Sequence, residues 1–197
     1  VGDFFERIVD VEVDAAEAGA LAERVVEWMV SRGWLLRETS GEAMYSLHVE
    51  RGYVPGPEWS RIAGDWGADW IPGPVAVTVG RHAHHPGQGD TEPASANCPR
   101  CGKTAVIIDY PRRWEADPVV WQPFSNAIET WERTGEGPVV CPACTAPSPV
   151  TAWRFADDFA LGALAFDFWG WPPLTADFLT ELTACLGHRT RHHTGKF

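Results

Sequence analysis

Apolar and polar residues alternate over Val9–Asp14, with Val9, Val11 and Val13 apolar and Asp10, Glu12 and Asp14 polar. A period of two predicts a strand with one buried face. The period then becomes helical. Leu21, Val25, Trp28 and Met29 fall at i, i+4, i+7 and i+8 and make one apolar stripe. Asp14 is the predicted N-cap, with Glu17 completing a capping box, and Gly33 is the predicted stop. A second strand is predicted at Trp34–Glu38, pairing with Met44–Glu50 across Ser40-Gly41.

Val54–Pro74 is rich in Pro, Gly and Trp and predicts a loop with a short helix near Glu58–Ala63. Val75–Val79, β-branched and apolar, predicts a central strand. His82–Ala96 is polar and punctuated by Pro86, Gly87 and Gly89, as a loop is. Further on, Ala105–Asp109 predicts a strand, and Phe124, Ile128 and Trp131 set a helix over Gln122–Arg133. Thr175 caps a last predicted helix with Phe178, Leu179, Leu182, Cys185 and Leu186 on one face, ended by Gly187. The polar tail His188–Phe197 suits an edge strand.

In order, this is strand, helix, strand, strand, insertion, helix, strand. The expected fold class is α+β: a ferredoxin-like βαββαβ antiparallel sheet with an inserted zinc-knuckle subdomain. Residues 1–96 and 154–197 form the expected core domain, and 97–153 the insertion.

Charge narrows the choice of partner. Lys and Arg number 16 against 27 Asp and Glu, a formal charge of −11. Such a chain repels phosphate backbones unless it holds a basic patch, and nucleic acid is disfavoured as a partner. The N-terminal stretch carries Asp3 and Glu6 without an apolar run, unlike a signal peptide. The apolar stretch Phe159–Phe166 is too short for a membrane span. A cytoplasmic location and no membrane contact are therefore expected.

The strongest chemical signal is Cys98-Pro-Arg-Cys101, with Gly102 after it, and Cys141-Pro-Ala-Cys144. Each pair makes a tight knuckle, and two knuckles supply the four soft ligands that Zn²⁺ takes in a tetrahedron. A closed four-thiolate site is structural. Redox dithiols are the alternative for a single Cys-Pro-x-Cys, and two matched pairs argue against it. The knuckles resemble those of zinc ribbons. Together with Phe168-Trp-Gly-Trp-Pro-Pro-Leu174, Leu186-Gly-His188 and Gly195-Lys-Phe197, they resemble a family of uncharacterised actinobacterial proteins with two Cys-Pro-x-Cys motifs. That resemblance implies a shared architecture and little else.

The histidines cluster. His82, His84 and His85 follow the predicted third strand, and His188, His192 and His193 lie in the tail. In the expected fold, His82, His84, His192 and His193 are candidates for a second, open metal site, with Asp90 or Glu92 as an acidic ligand. The competing reading is solvated loop and edge residues. Asp157 and Asp158, and Asp167 in its aromatic run, are candidate acid–base groups, or in the first two cases a helix cap. Cys185 reads as a small buried hydrophobe. Of the eleven tryptophans, Trp59, Trp66, Trp70, Trp169 and Trp171 sit beside Pro and Gly and are a candidate binding surface, with core filling as the alternative.

These features favour a non-enzymatic protein-binding module, antitoxin-like or immunity-like, stabilised by structural zinc. A metal-dependent enzyme using the histidine cluster is the second reading. The third is a nucleic-acid-binding ribbon presenting Arg100, Lys103, Arg112 and Arg113 as one basic face.

Overall fold

The computed structural model describes residues 4–65, 67, 70–86 and 92–196. In chain order the elements are β1 (Phe4–Asp10), α1 (Ala15–Ser31), β2 (Leu35–Ser40), β3 (Gly52–Pro55), β4 (Val75–His84), β5 (Ser95–Asn97), β6 (Thr104–Val106), α2 (Pro118–Thr134), β7 (Pro138–Val140), β8 (Pro147–Pro149), β9 (Arg154–Phe155), β10 (Ala160–Trp169), α3 (Ala176–Leu186) and β11 (Thr190–Lys196). The chain divides into two compact units, Val1–Gly80 with Gly162–Phe197, and Arg81–Leu161. The expected insertion, 97–153, lies inside the second.

The helices start and stop where side chains satisfy their ends. Asp14 accepts from Ala16 N (3.1 Å) at the start of α1, and Gly33, at φ 73°, closes it by donating to Val30 O (2.9 Å). Thr175 caps α3 by accepting from Phe178 N (3.3 Å). For α2 the cap is Asp117, and Pro118 takes the first turn, where its missing N–H costs nothing. The helix therefore begins one turn earlier than its apolar stripe implied.

The main sheet has six strands in the order β11-β1-β10-β4-β3-β2. It is mixed with helices in an α+β arrangement. β10 and β11 both run antiparallel to β1, so they are parallel to each other, with α3 as the crossover. β4, expected in the centre with β1, stands one strand further out. The intruder is β10, which periodicity did not reveal as a strand. All ten of its residues are buried, and a strand covered on both faces shows no alternation. Gly162 marks how closely β10 approaches β1: a Cβ there would lie 2.4 Å from Val9 Cγ1 and 2.5 Å from Asp10 O.

Other expectations shift for local reasons. The strand expected at Val9–Asp14 lies at Phe4–Asp10, because Asp10 Oδ1 accepts from Glu12 N and Val13 N (both 2.9 Å) and turns the chain. Met44–Glu50 is not a strand. Met44 and Val49 instead pack against Phe5, Ala76 and Trp169, and β2 pairs with β3. β4 runs on through His84, and the expected 105–109 strand lies at Thr104–Val106. Asp157 and Asp158 cap no helix. Both adopt positive φ (57° and 54°) in the turn before β10, and Asp157 Oδ2 accepts from Ala94 N (2.8 Å).

α1 and α3 pack on one face of the sheet of the first unit. Leu21, Val25 and Met29 of α1 and Phe178 and Leu182 of α3 share a core with Ile8, Phe166 and Phe168. Cys185, expected on that apolar face, is exposed, because Phe178, Leu182 and Leu186 take the buried positions. Partial desolvation pushes its thiol up, which is the opposite of an activated nucleophile.

Arg7 and Asp167 face each other across β1 and β10 and form an ion pair through two N–H···O contacts. The Asp167 carboxyl is buried, which pushes its pKa up, while Arg7 draws it back down. Removing one member strands the other charge. Arg7→Leu is expected to lower unfolding free energy by about 3 kcal/mol. Arg7→Leu with Asp167→Leu is expected to recover most of it, as read by denaturant titration. Equal losses in the single and double variants would show that the pair is not coupled.

Candidate metal centre

The second unit brings two matched hairpins together. In the first, β5 leads into Cys98 and β6 leads away, paired in register Ser95↔Val106 to Asn97↔Thr104. Cys98 N donates to Lys103 O (2.9 Å), Gly102 N to Cys98 O (3.0 Å), and Arg100 N to Cys98 Sγ (3.4 Å). In the second, β7 leads into Cys141 and β8 leads away. Cys141 N donates to Ala146 O (3.1 Å), Thr145 N to Cys141 O (2.8 Å), and Ala143 N to Cys141 Sγ (3.4 Å). The two turns are the same turn. They differ at the left-handed position, held by Gly102 (φ 70°) in one and by Thr145 (φ 58°) in the other.

The hairpins set the four sulfurs facing one another. Cys98 and Cys144 Sγ are 3.9 Å apart, and Cys101 and Cys141 Sγ 3.8 Å apart. All four lie within 4.8 Å of one another. A metal ion bound at about 2.3 Å in a tetrahedron requires sulfur–sulfur edges of about 3.8 Å, so the group fits an ion. No disulfide joins them. Cys98 and Cys141 are buried in the core of Ala96, Ile107, Phe124, Trp131, Val139 and Val150, while Cys101 is exposed and Cys144 half-buried. An ion held here links the edge of that core to two surface turns.

The thiols differ in acidity. The Cys144 backbone N–H, helped by that of Ala143 and by the Cys98 and Cys144 thiols, outweighs desolvation and brings Cys141 down to about 7. At Cys101 the Lys103 backbone N–H pulls downward, but desolvation and the three neighbouring sulfurs outweigh it and push the thiol up to about 11.

The four cysteines are the one group of three or more His, Cys, Asp or Glu among the described residues whose ligand atoms lie close enough to share an ion. The histidines have other places. His82 and His84 lie on β4 in the second unit, with rings 6.4 Å apart and His84 buried. His192 and His193 lie on β11 in the first unit, where alternation sends them to opposite faces. His192 Nε2 is bound to Glu6, which also accepts from Thr194 Oγ1 (3.2 Å). His188 Nδ1 contacts Asp10 Oδ2 at 2.9 Å. Glu6 and Asp10 are buried carboxylates on β1, so two of the tail histidines serve buried acids. Asp90 lies outside the described residues.

The tryptophans also sort differently from expectation. Trp169 (5% exposed) and Trp171 (1%) are core, not surface, because Trp169 belongs to the doubly covered β10 and Trp171 Nε1 donates to Gly73 O (2.9 Å). Trp70, half-buried, donates to Gly170 O (2.8 Å), and Trp59 packs edge-on against Trp171. Trp66 lies outside the described residues. Among the described residues the exposed tryptophan is Trp114, 75% accessible and beside Tyr110, 46% accessible. Its signal was in the sequence: Asp109-Tyr-Pro-Arg-Arg-Trp-Glu-Ala-Asp117 has no apolar run that could bury a ring. Arg112 and Arg113 are exposed as well, but are matched to Asp109 (3.7 Å) and Asp117 (3.1 Å).

Cys101→Ser is expected to abolish stoichiometric metal uptake and to loosen the second unit, including α2, while the helix signal of α1 and α3 persists, as read by metal analysis and circular dichroism. Thiolates bind the ion and thiols do not, so uptake releases protons. Affinity should fall as pH drops, and fall more steeply below about 7, where Cys141 also holds its proton. A pH-independent affinity would rule out thiolate ligation. Thr145→Gly relieves a β-branched residue in the left-handed region, and is expected to raise stability by about 1 kcal/mol in thermal melts of the metal-loaded protein.

No family model, no curated protein and no solved structure matches this chain.

Proposed function

We propose that this chain is a non-enzymatic protein-binding module whose second unit is held in shape by one structural zinc ion on Cys98, Cys101, Cys141 and Cys144. The observation that carries the reading is the closed set of four converging thiols. Four protein sulfurs fill a tetrahedron and leave no position for a reactive water. Zinc suits four soft ligands and has no geometric preference of its own to oppose the one the hairpins impose. Free thiols of this kind persist in a reducing compartment, which favours the cytoplasm. Among the described residues, no helix is long and apolar enough to cross a membrane.

A binding role is favoured over a phosphate-binding one by charge. The chain is formally −11, and Arg112 and Arg113, half of the expected basic face, are already matched by carboxylates. What the second unit offers instead is exposed aromatic surface at Tyr110 and Trp114, the residue types that dominate protein interfaces. In the first unit, β1–α1–β2 and β10–α3–β11 suit a ferredoxin-like core widened by β3 and β4.

The test is metal and thiol content of untagged protein, followed by affinity purification from the source cells. One zinc per chain is expected, with four thiols protected until chelator is added. A defined protein partner is expected to be retained by wild type and lost by Trp114→Ala, which keeps its zinc. A second metal required for a hydrolytic activity would overturn the reading in favour of an enzyme.

A further inference from the structure

The aromatic pair at Tyr110 and Trp114 has a chemistry of its own. The rings meet edge to face, 5.0 Å apart with 69° between their planes. They stand on a loop that is pinned at its base. Ile107 and Ile108 are buried, Asp117 N donates to Ile107 O (2.7 Å), and Arg112 N and Arg113 N donate to Asp109 O (2.8 and 2.9 Å). Exposed rings on a fixed loop lose little conformational freedom on binding. Trp114 makes no hydrogen bond with the described residues and is 75% accessible, so its solvated indole N–H can donate to a ligand in exchange for water.

The charges around the pair are unequal. Arg112 is matched by Asp109 and Arg113 by Asp117. Glu115, next to Trp114, is exposed and makes no hydrogen bond or ion pair with the described residues. The one uncompensated charge on the segment Asp109–Asp117 is therefore negative, as is the charge of the whole chain.

We propose that Tyr110, Trp114 and Glu115 form a docking surface for a proline-rich protein segment that carries lysine or arginine. This rests on the protein-binding reading above and names the chemistry of the partner. A polyproline II segment is already extended and fully solvated, so it loses little entropy on docking. Its pyrrolidine rings stack on aromatic faces, and its carbonyls, with no internal partners, accept from an indole N–H. A neighbouring carboxylate selects a basic residue and so sets orientation. A nucleic-acid strand would also stack on the rings, but would bring phosphates to Glu115. A second copy of this chain would bring another −11.

The experiment is calorimetric titration of the zinc-loaded full chain with three probes. They are a synthetic Pro-x-x-Pro peptide ending in two arginines, the same peptide with alanine for every proline, and a single-stranded oligothymidylate. Saturable binding of the first peptide alone is expected. Trp114→Ala should weaken it by about tenfold or more. Glu115→Gln should weaken it by a smaller factor and flatten its salt dependence. Val119→Ala, exposed but off the pair, should leave it unchanged. Zinc content confirms that each variant is folded. Equal binding of the alanine peptide, binding of the oligothymidylate instead, or self-association lost in Trp114→Ala would each overturn the proposal. So would no binding of any probe. If Trp114→Ala still releases the native partner while the proline peptide fails, only the ligand class is lost. If both fail, the binding-module reading is lost with it.

Discussion

The convergence of four thiols is the constraint on which Arg81–Leu161 depends. Five of the strands of this unit, β5 to β9, are only two or three residues long. Short strands bury little apolar surface and hold register weakly, and a small core benefits from a cross-link. The two knuckles are placed to supply one. Cys98 and Cys141 end strands that enter the core, so an ion shared with Cys101 and Cys144 would tie both hairpins to the packing of Phe124, Ile128 and Trp131 of α2. Such an ion would stabilise only the folded arrangement, because the unfolded chain keeps Cys101 and Cys141 far apart.

The first unit is organised by a different problem, that of charge inside a sheet. β1 carries Glu6, Arg7 and Asp10, and β10 carries Asp167, all at or near full burial for the acids. Each acid is answered by a strand neighbour. Arg7 serves Asp167 across β1 and β10, and β11 with the turn before it brings His192 and His188 to Glu6 and Asp10. Buried charges left unpaired cost several kcal/mol, so these pairs tie strand order to chemistry. The tail is polar because it partners acids, and not only because it is an edge.

Aromatic residues divide between the two demands of packing and contact. Trp28, Trp34 and Phe178 pack on one another, and Phe168 packs edge-on against Trp171. Phe124, Trp153 and Phe155 do the same in the second unit. Tyr110 and Trp114 are held away from either core by a loop whose own isoleucines take the buried places. Exposure of a large ring on a fixed backbone gives up hydrophobic stabilisation in the folded state.

The sequence by itself determined what local chemistry determines. Asp14, Gly33, Thr175 and Gly187 set helix ends through hydrogen bonds and left-handed backbone within a few residues. The Cys-Pro-x-Cys spacings determined two knuckles, since the turn and its sulfur bonds close inside five residues. Tertiary structure decided the rest. It placed β10 between β1 and β4, which no period could show because both faces of that strand are buried. It assigned His188 and His192 to carboxylates far away in sequence, and sent His193 to the opposite face from His192. It buried Trp169 and Trp171, because burial is a property of what packs against a side chain, and that is settled only when distant segments meet.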